Sequence, residues 1–145
     1  MLVKSVFNSH ENIPVMHTGD GEDVNPSIDL LGVPANVASF ALIVDDPDAP
    51  RGDWVHWIVF NIPSNVYRIE ENSVPAGALL GMNDSGVLKY HGPAPPHGVH
   101  RYFFKAFALD KMLDLKEGAN KKEILEAIEE HVIDKAELIG IYGRG

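Results

Sequence analysis

Apolar and polar positions along the chain follow two rhythms, a strand-like alternation over most of its length and one helical periodicity near the end. From Ser39 to Val44 the residues Phe40, Ala41, Leu42, Ile43 and Val44 are apolar almost without a break, as expected of a strand buried on both faces. Trp54 to Ile62 alternates: Trp54, His56, Ile58, Phe60 and Ile62 share one face, and Val55, Trp57, Val59 and Asn61 the other. His100 to Leu109 does the same, with His100, Tyr102, Phe104, Ala106 and Ala108 opposite Arg101, Phe103, Lys105, Phe107 and Leu109. Ser27 to Leu31 reads as a brief strand, Ile13 to Thr18 as an extended edge interrupted by Pro14, and Ala136 to Tyr142 as a last strand. Asn120 to Asp134 carries the helical period. Asn120 and Glu123 have capping-box spacing, and Ile124, Leu125, Ile128 and Val132 form its apolar face. The stretch 64–88 is a long connection punctuated by Pro75, Gly77, Gly81 and Asn83-Asp84-Ser85-Gly86. The pattern predicts one domain over residues 1–145, mainly β: a two-sheet antiparallel β-sandwich with one helix near the C-terminus.

Composition narrows the function. The formal net charge of −9 over 145 residues, with the Lys and Arg scattered, argues against nucleic-acid binding. A small anion is compatible with such a chain only through local donors that overcome the global field. No apolar run approaches the ~20 residues of a membrane span, so membrane contact is expected to be peripheral at most. The N-terminal residues lack the features of a signal peptide, so a cytoplasmic location is expected. There is no cysteine, which excludes thiol catalysis, disulfides and cysteine metal sites.

Three places concentrate chemistry. Asp46-Pro47-Asp48-Ala49-Pro50 is a stiff turn holding two carboxylates; a solvated turn is its ordinary role, and orienting an imidazole its sharper one. His56 falls near the start of a strand, on an apolar face where a histidine is more often a satisfied core residue. If the strands around 40 and 58 pair as neighbours, it shares a sheet end with Asp46. The third place is Lys89 to Phe104. Gly92, Pro93, Pro95 and Pro96 make a rigid loop that feeds a strand, and His100 and Tyr102 face one way while Arg101 faces the other. His91 and His97 lie in the proline loop and need not belong to the site. Imidazole and phenol donors beside bent glycine backbone suit a phosphate or carboxylate. No Gly-x-Ser-x-Gly elbow, His-Glu-x-x-His metal motif, P-loop or dinucleotide fingerprint is present, and neither a cofactor nor a metal is expected.

These stretches, Asp46-Pro47-Asp48-Ala49-Pro50, Trp54-Val55-His56-Trp57 and Gly92 through Tyr102, resemble the two signature regions of the phosphatidylethanolamine-binding proteins. The similarity is strongest to the bacterial and archaeal, Raf-kinase-inhibitor-like branch, which the early loop Asp20 to Pro26 also resembles. The resemblance implies a β-sandwich with a small pocket for phosphate-like anions or phospholipid head groups at one end of the central sheet. It implies Asp46, His56, His100 and Tyr102 as the pocket, Gly92 and Pro93 as wall, Pro47 and Asp48 as rim, and Glu22 and Asp23 as a further approach. Eukaryotic members add a C-terminal helix beside the pocket; this chain is expected to leave the pocket more open, without their kinase-regulatory roles. A homodimer, common in the prokaryotic branch, stays open. The expected function is a non-enzymatic, regulatory small-anion binding module. The alternatives are a protease or kinase inhibitor acting through the 64–88 or 91–98 loops, and a hydrolase with Ser85 or an activated water as nucleophile.

Overall fold

The computed structural model describes residues 1–144. Nine strands run in the order β1 (Leu2–Lys4), β2 (Glu11–Asn12), β3 (Ile28–Leu31), β4 (Ser39–Asp46), β5 (Trp54–Pro63), β6 (Arg68–Ile69), β7 (Leu79–Leu80), β8 (Gly98–Leu109) and β9 (Val132–Arg144). Among the described residues a single α-helix, α1 (Lys121–Ile128), precedes β9. The strands form two sheets, β1-β3-β6 and β2-β9-β8-β4-β5-β7. All pairs are antiparallel except the two-residue β2–β9 ladder. This is the mainly β, two-sheet architecture that the alternation predicts.

β4 and β5 are buried along almost their whole length because the larger sheet is covered on both sides. Phe40, Leu42, Val44, Trp57, Val59 and Phe104 pack toward the small sheet with Val3, Ile28 and Leu30. Ala41, Ile43, Ile58, Phe60 and Leu109 pack on the other side against Ile124 and Ile128 of α1. Strict alternation at β4 therefore feeds two cores at once, and an unbroken apolar run is what that placement demands. Asp45, fully buried, fastens the helix layer to the sheet: its Oδ2 accepts from Lys121 Nζ at 2.6 Å and from Lys105 Nζ at 3.0 Å.

Three local expectations are corrected. The helix ends at Ile128, not Asp134, and Asn120 caps it with the full reciprocal box to Glu123. Glu130 takes a left-handed φ of 67°, and Val132 pairs with Leu109, so the β-branched Val132 and Ile133 begin the last strand. Leu125 and Val132, assigned to the apolar face, are exposed, leaving Ile124 and Ile128 to dock the helix. Second, Val15–His17 is a 3-10 turn rather than an extended edge; Pro14 stands at its N-cap and the pairing segment is Glu11–Asn12. Third, the 64–88 connection contributes β6 and β7, each two residues long and too short to leave a periodic signal.

Among the described residues no helix is long and apolar enough to cross a membrane.

Candidate functional site

The antiparallel order brings four chain segments to one end of the large sheet. β4 ends at Asp46, β5 begins at Trp54, β8 begins at Gly98, and β9 ends at Arg144 opposite Gly98. A cavity of about 390 Å³ opens there, within the range for small-molecule sites. Asp46, His56, Gly92, His100 and Tyr102 line it together, along with Trp54, Ser85 and His91.

His56 reaches the cavity by a route that simple alternation does not give. Val44 pairs with Trp57 while the next residue, Asp45, pairs with Val55, so His56 is the extra residue of a β-bulge. The alternation count groups it with Ile58 and Phe60, which face the helix layer. The bulge turns it to the opposite side, where its ring meets Tyr102 edge-on at a centroid distance of 5.2 Å. Bulges re-aim side chains in this way beside functional sites.

Both imidazoles are fixed through Nδ1. His56 Nδ1–H donates to the carbonyl of His91 at 2.5 Å. His100 Nδ1–H donates to Asp46 Oδ2 at 2.7 Å. Asp46 is itself oriented by the backbone N–H of Asp48, which donates to its Oδ1 at 2.7 Å. With Nδ1 engaged, Nε2 is the remaining polar atom of each ring. Burial lowers the pKa of His56 below its ordinary value, against the opposing pull of the His91 carbonyl and Asp46. The His100 and Tyr102 rings stack at 25° with centroids 6.5 Å apart. Burial, with Asp46 nearby, raises the Tyr102 hydroxyl well above the usual phenol range, so it stays a proton donor at any physiological pH.

The wall at residues 90–95 is docked onto the loop at 17–23. Tyr90 Oη donates to the His17 carbonyl at 2.6 Å, Gly92 N–H to Asp23 Oδ1 at 2.6 Å, and Gly19 N–H to the Pro93 carbonyl at 2.8 Å. From the other side Arg144 donates to Asp20 and, at 3.3 Å, to the Pro95 carbonyl.

Not every residue named from sequence lines the cavity. Asp48 is turned away: both of its oxygens accept from the Arg101 guanidinium at 2.8 Å, and that contact holds its pKa at about 2. Pro47 and Pro93 shape the backbone without lining the space, and Glu22 is exposed. Asp23 acts one step back, through Gly92. The sequence reading gave no firm place to Ser85, His91 or Asn83. Asn83 is buried, and its side chain spans from the His56 carbonyl to the Ser85 amide. The Asn-Asp-Ser-Gly turn signal was its only trace, since its partners lie up to 27 residues away.

Among the described residues no group of three or more His, Asp or Glu is arranged to hold a metal ion. What the cavity offers is hydrogen-bonding and acid–base chemistry from two fixed imidazoles, a buried phenol and a Ser–His contact.

Comparison with known proteins places this geometry. A family model described as phosphatidylethanolamine-binding protein matches residues 3–143. A UPF0098 protein of Methanothermobacter thermautotrophicus is 51% identical over 149 residues, covering 99% of each chain. Another, of Pyrococcus horikoshii, is 46% identical over 152 residues, covering 99% of this chain and 77% of its own. Among solved structures, a phosphatidylethanolamine-binding protein homologue from Chlamydia trachomatis superposes with a TM-score of 0.95 at 37% identity, covering 99% of this chain and 97% of its own. E. coli YbcL, described as a member of the mammalian family, superposes with a TM-score of 0.91 at 30% identity over 99% and 98% of the two chains. With model, relatives and structures in agreement over nearly the whole length, the chain belongs to the phosphatidylethanolamine-binding protein family.

Proposed function

We propose that the cavity binds a small phosphate-type anion, a phosphomonoester or the phosphate of a lipid head group, and that the protein is a ligand-responsive regulatory module. The observation that carries this is the shared commitment of both imidazoles through Nδ1, which leaves two Nε2 edges and one phenol O–H around a single cavity. Such groups are held in place before the ligand arrives and lose little freedom on binding.

The proton inventory gives the pH dependence. His56 is depressed by burial and its Nδ1–H is already engaged, so an anion gains a donor at Nε2 only when a proton enters with it. A ligand monoanion whose own P–OH donates to a neutral Nε2 carries that proton itself. Either way the complex holds one more proton than its separated, deprotonated components. Affinity for inorganic phosphate and O-phosphoethanolamine is therefore expected to rise between pH 7.5 and pH 5.5, by up to about tenfold per unit. The empty protein behaves in the opposite sense. The unfolded chain takes up a proton at His56 more readily than the folded one, so this residue's contribution to stability is complete above pH 6.5 and declines as pH falls toward the lowered folded-state value. Calorimetry at both pH values in two buffers of different ionisation heat reads the affinity and the proton uptake together. Binding that is absent, or indifferent to pH, would sink this reading.

A protein partner docking on the 91–98 loop is a separate proposal, favoured by the way that loop is pinned on two sides while Ala94, Pro96 and His97 remain exposed. A rigid exposed loop is the form in which inhibitors present a contact. A cytosolic protease or kinase retained by the wild type should still be retained by His56→Ala/His100→Ala and be lost when residues 94–97 are replaced by Gly-Ser. Retention by the loop-replaced protein would exclude this contact.

A further inference from the structure

Two side chains of the cavity wall take no part in anion binding as described above, and they touch. Ser85 Oγ lies 2.6 Å from His91 Nδ1, and both residues line the cavity. A hydroxyl against an imidazole nitrogen at this distance is the ground-state arrangement of a nucleophile and its base. The other ring nitrogen, Nε2, stands 3.8 Å from Asp23 Oδ2. That is too long for a hydrogen bond, but it places the carboxylate beside the ring edge opposite Ser85.

The pair is held rather than loose. Asn83 Oδ1 accepts from the backbone N–H of Ser85 at 3.0 Å and of Val87 at 3.1 Å, while its Nδ2 donates to the carbonyls of His56 at 3.2 Å and Lys89 at 2.9 Å. Asp84 adds a second anchor, exchanging bonds with the Val55 backbone: its own N–H donates at 3.0 Å and its carboxylate accepts at 2.7 Å. The turn carrying Ser85 is thus fastened to the first residues of β5. His91 is fastened to the same place, its N–H donating to the His56 carbonyl at 3.1 Å and its carbonyl accepting from His56 Nδ1. The turn that carries the nucleophile, through Asn83, and the base are both tied to His56, one of the cavity's imidazoles. This is the supported, preorganised geometry that a reactive site requires.

We propose that Ser85 and His91 form a nucleophile–base pair for acyl transfer, with Asp23 as a positioning residue, and that the cavity hydrolyses small carboxylic esters. As Oγ bonds to the ester carbonyl carbon, its proton passes to His91 Nδ1 and the carbonyl electron pair moves onto oxygen. Collapse of that intermediate breaks the bond to the alcohol, which leaves with the proton from His91. Water then attacks the acyl-Ser85 carbon, giving a proton to His91. The C–Oγ bond breaks, Oγ recovers that proton, and a carboxylic acid is released, so the net reaction is ester plus water to acid plus alcohol. The apolar wall of Trp54, Pro50 and Pro95 and the cavity volume of about 390 Å³ suit short acyl chains over peptides or long lipids. The activity shares the cavity with the anion proposed above but does not depend on its binding.

An alkyl fluorophosphonate tests the assignment: Oγ–P forms, fluoride departs, and the proton goes to His91. Intact mass and peptide mapping of the wild type should give one adduct, at Ser85, and none in Ser85→Ala. His91→Ala should label roughly 10²-fold more slowly. Hydrolysis of p-nitrophenyl butyrate should be lost in Ser85→Ala. Ser85 is exposed and His91 partly so, so both variants should unfold near the wild-type temperature. Should His91→Ala fail to fold, the wild type and Ser85→Ala still decide. No adduct at Ser85, or ester hydrolysis unchanged in Ser85→Ala, overturns the proposal. Phosphate calorimetry on the wild type separates the two readings: binding without labelling sinks only the ester hydrolase, and labelling without binding sinks only the anion site.

Discussion

Replacing His100 by alanine should destabilise the protein by about 3 kcal/mol and remove detectable phosphate binding. The size follows from what is left behind. Asp46 is 3% exposed, and its Oδ2 has His100 Nδ1 as its partner at 2.7 Å. Truncating the ring strands a buried carboxylate oxygen without its partner, and an unpaired buried acceptor costs far more than the bond contributes net. The ring also packs on Tyr102, so part of the loss is stacking. The decisive measurement is a double-mutant cycle by urea unfolding. Asp46→Ala removes the same contact from the other side, so the double variant should be markedly more stable than the sum of the single losses predicts. Strict additivity would mean that the two groups do not depend on each other in solution.

Gly92→Ala should cost about 2 kcal/mol or more and weaken phosphate binding at the same time. A Cβ at this position would sit 2.3 Å from the His17 carbonyl oxygen and 2.7 Å from Asp23 Oδ1. The first of these is backbone in a buried turn and has no rotamer with which to yield. The 90–93 segment must therefore lift off the 17–23 loop, breaking the Gly92–Asp23 bond and shifting the neighbouring His91 carbonyl that fixes His56. Stability and binding should fall together, read by thermal unfolding and phosphate calorimetry on the same sample. Wild-type affinity in a destabilised variant would show that the loop docking and the imidazole orientation are independent.

Much of this was legible in the sequence, for reasons that can be stated residue by residue. The β8 alternation put His100 and Tyr102 on one face and Arg101 on the other, and β8 pairs with β9 without a register shift from Gly98 to Ala108, which keeps that alternation uninterrupted. The two apolar strands, the helix cap at Asn120 and the meeting of Asp46 with His56 all follow from local pattern and short connections. The failures share a cause as well. His56 turns to the opposite face because one extra residue sits in the β4–β5 ladder, and an insertion of one residue leaves no mark on composition. Asp48, expected at the rim of the pocket, is instead taken by Arg101, which faces away on β8 and lies 53 positions along the chain. Asn83, Ser85 and His91 belong to connecting loops, where no period links a side chain to its partner. The helix end was misjudged because helical spacing continued past Glu130, where the backbone turns into a strand.

The contact between His56 and residue 91 has an evolutionary consequence. His56 is held by the main chain of that residue, through both its amide and its carbonyl, while the imidazole of His91 points to Ser85. Main-chain groups are the same for every amino acid but proline, which lacks the amide proton. Position 91 can therefore change its side chain across descendants without disturbing the tautomer of His56. The position is a socket: one scaffold holds the imidazole pair constant while a neighbouring reactive group is exchanged, gained or lost by single substitutions.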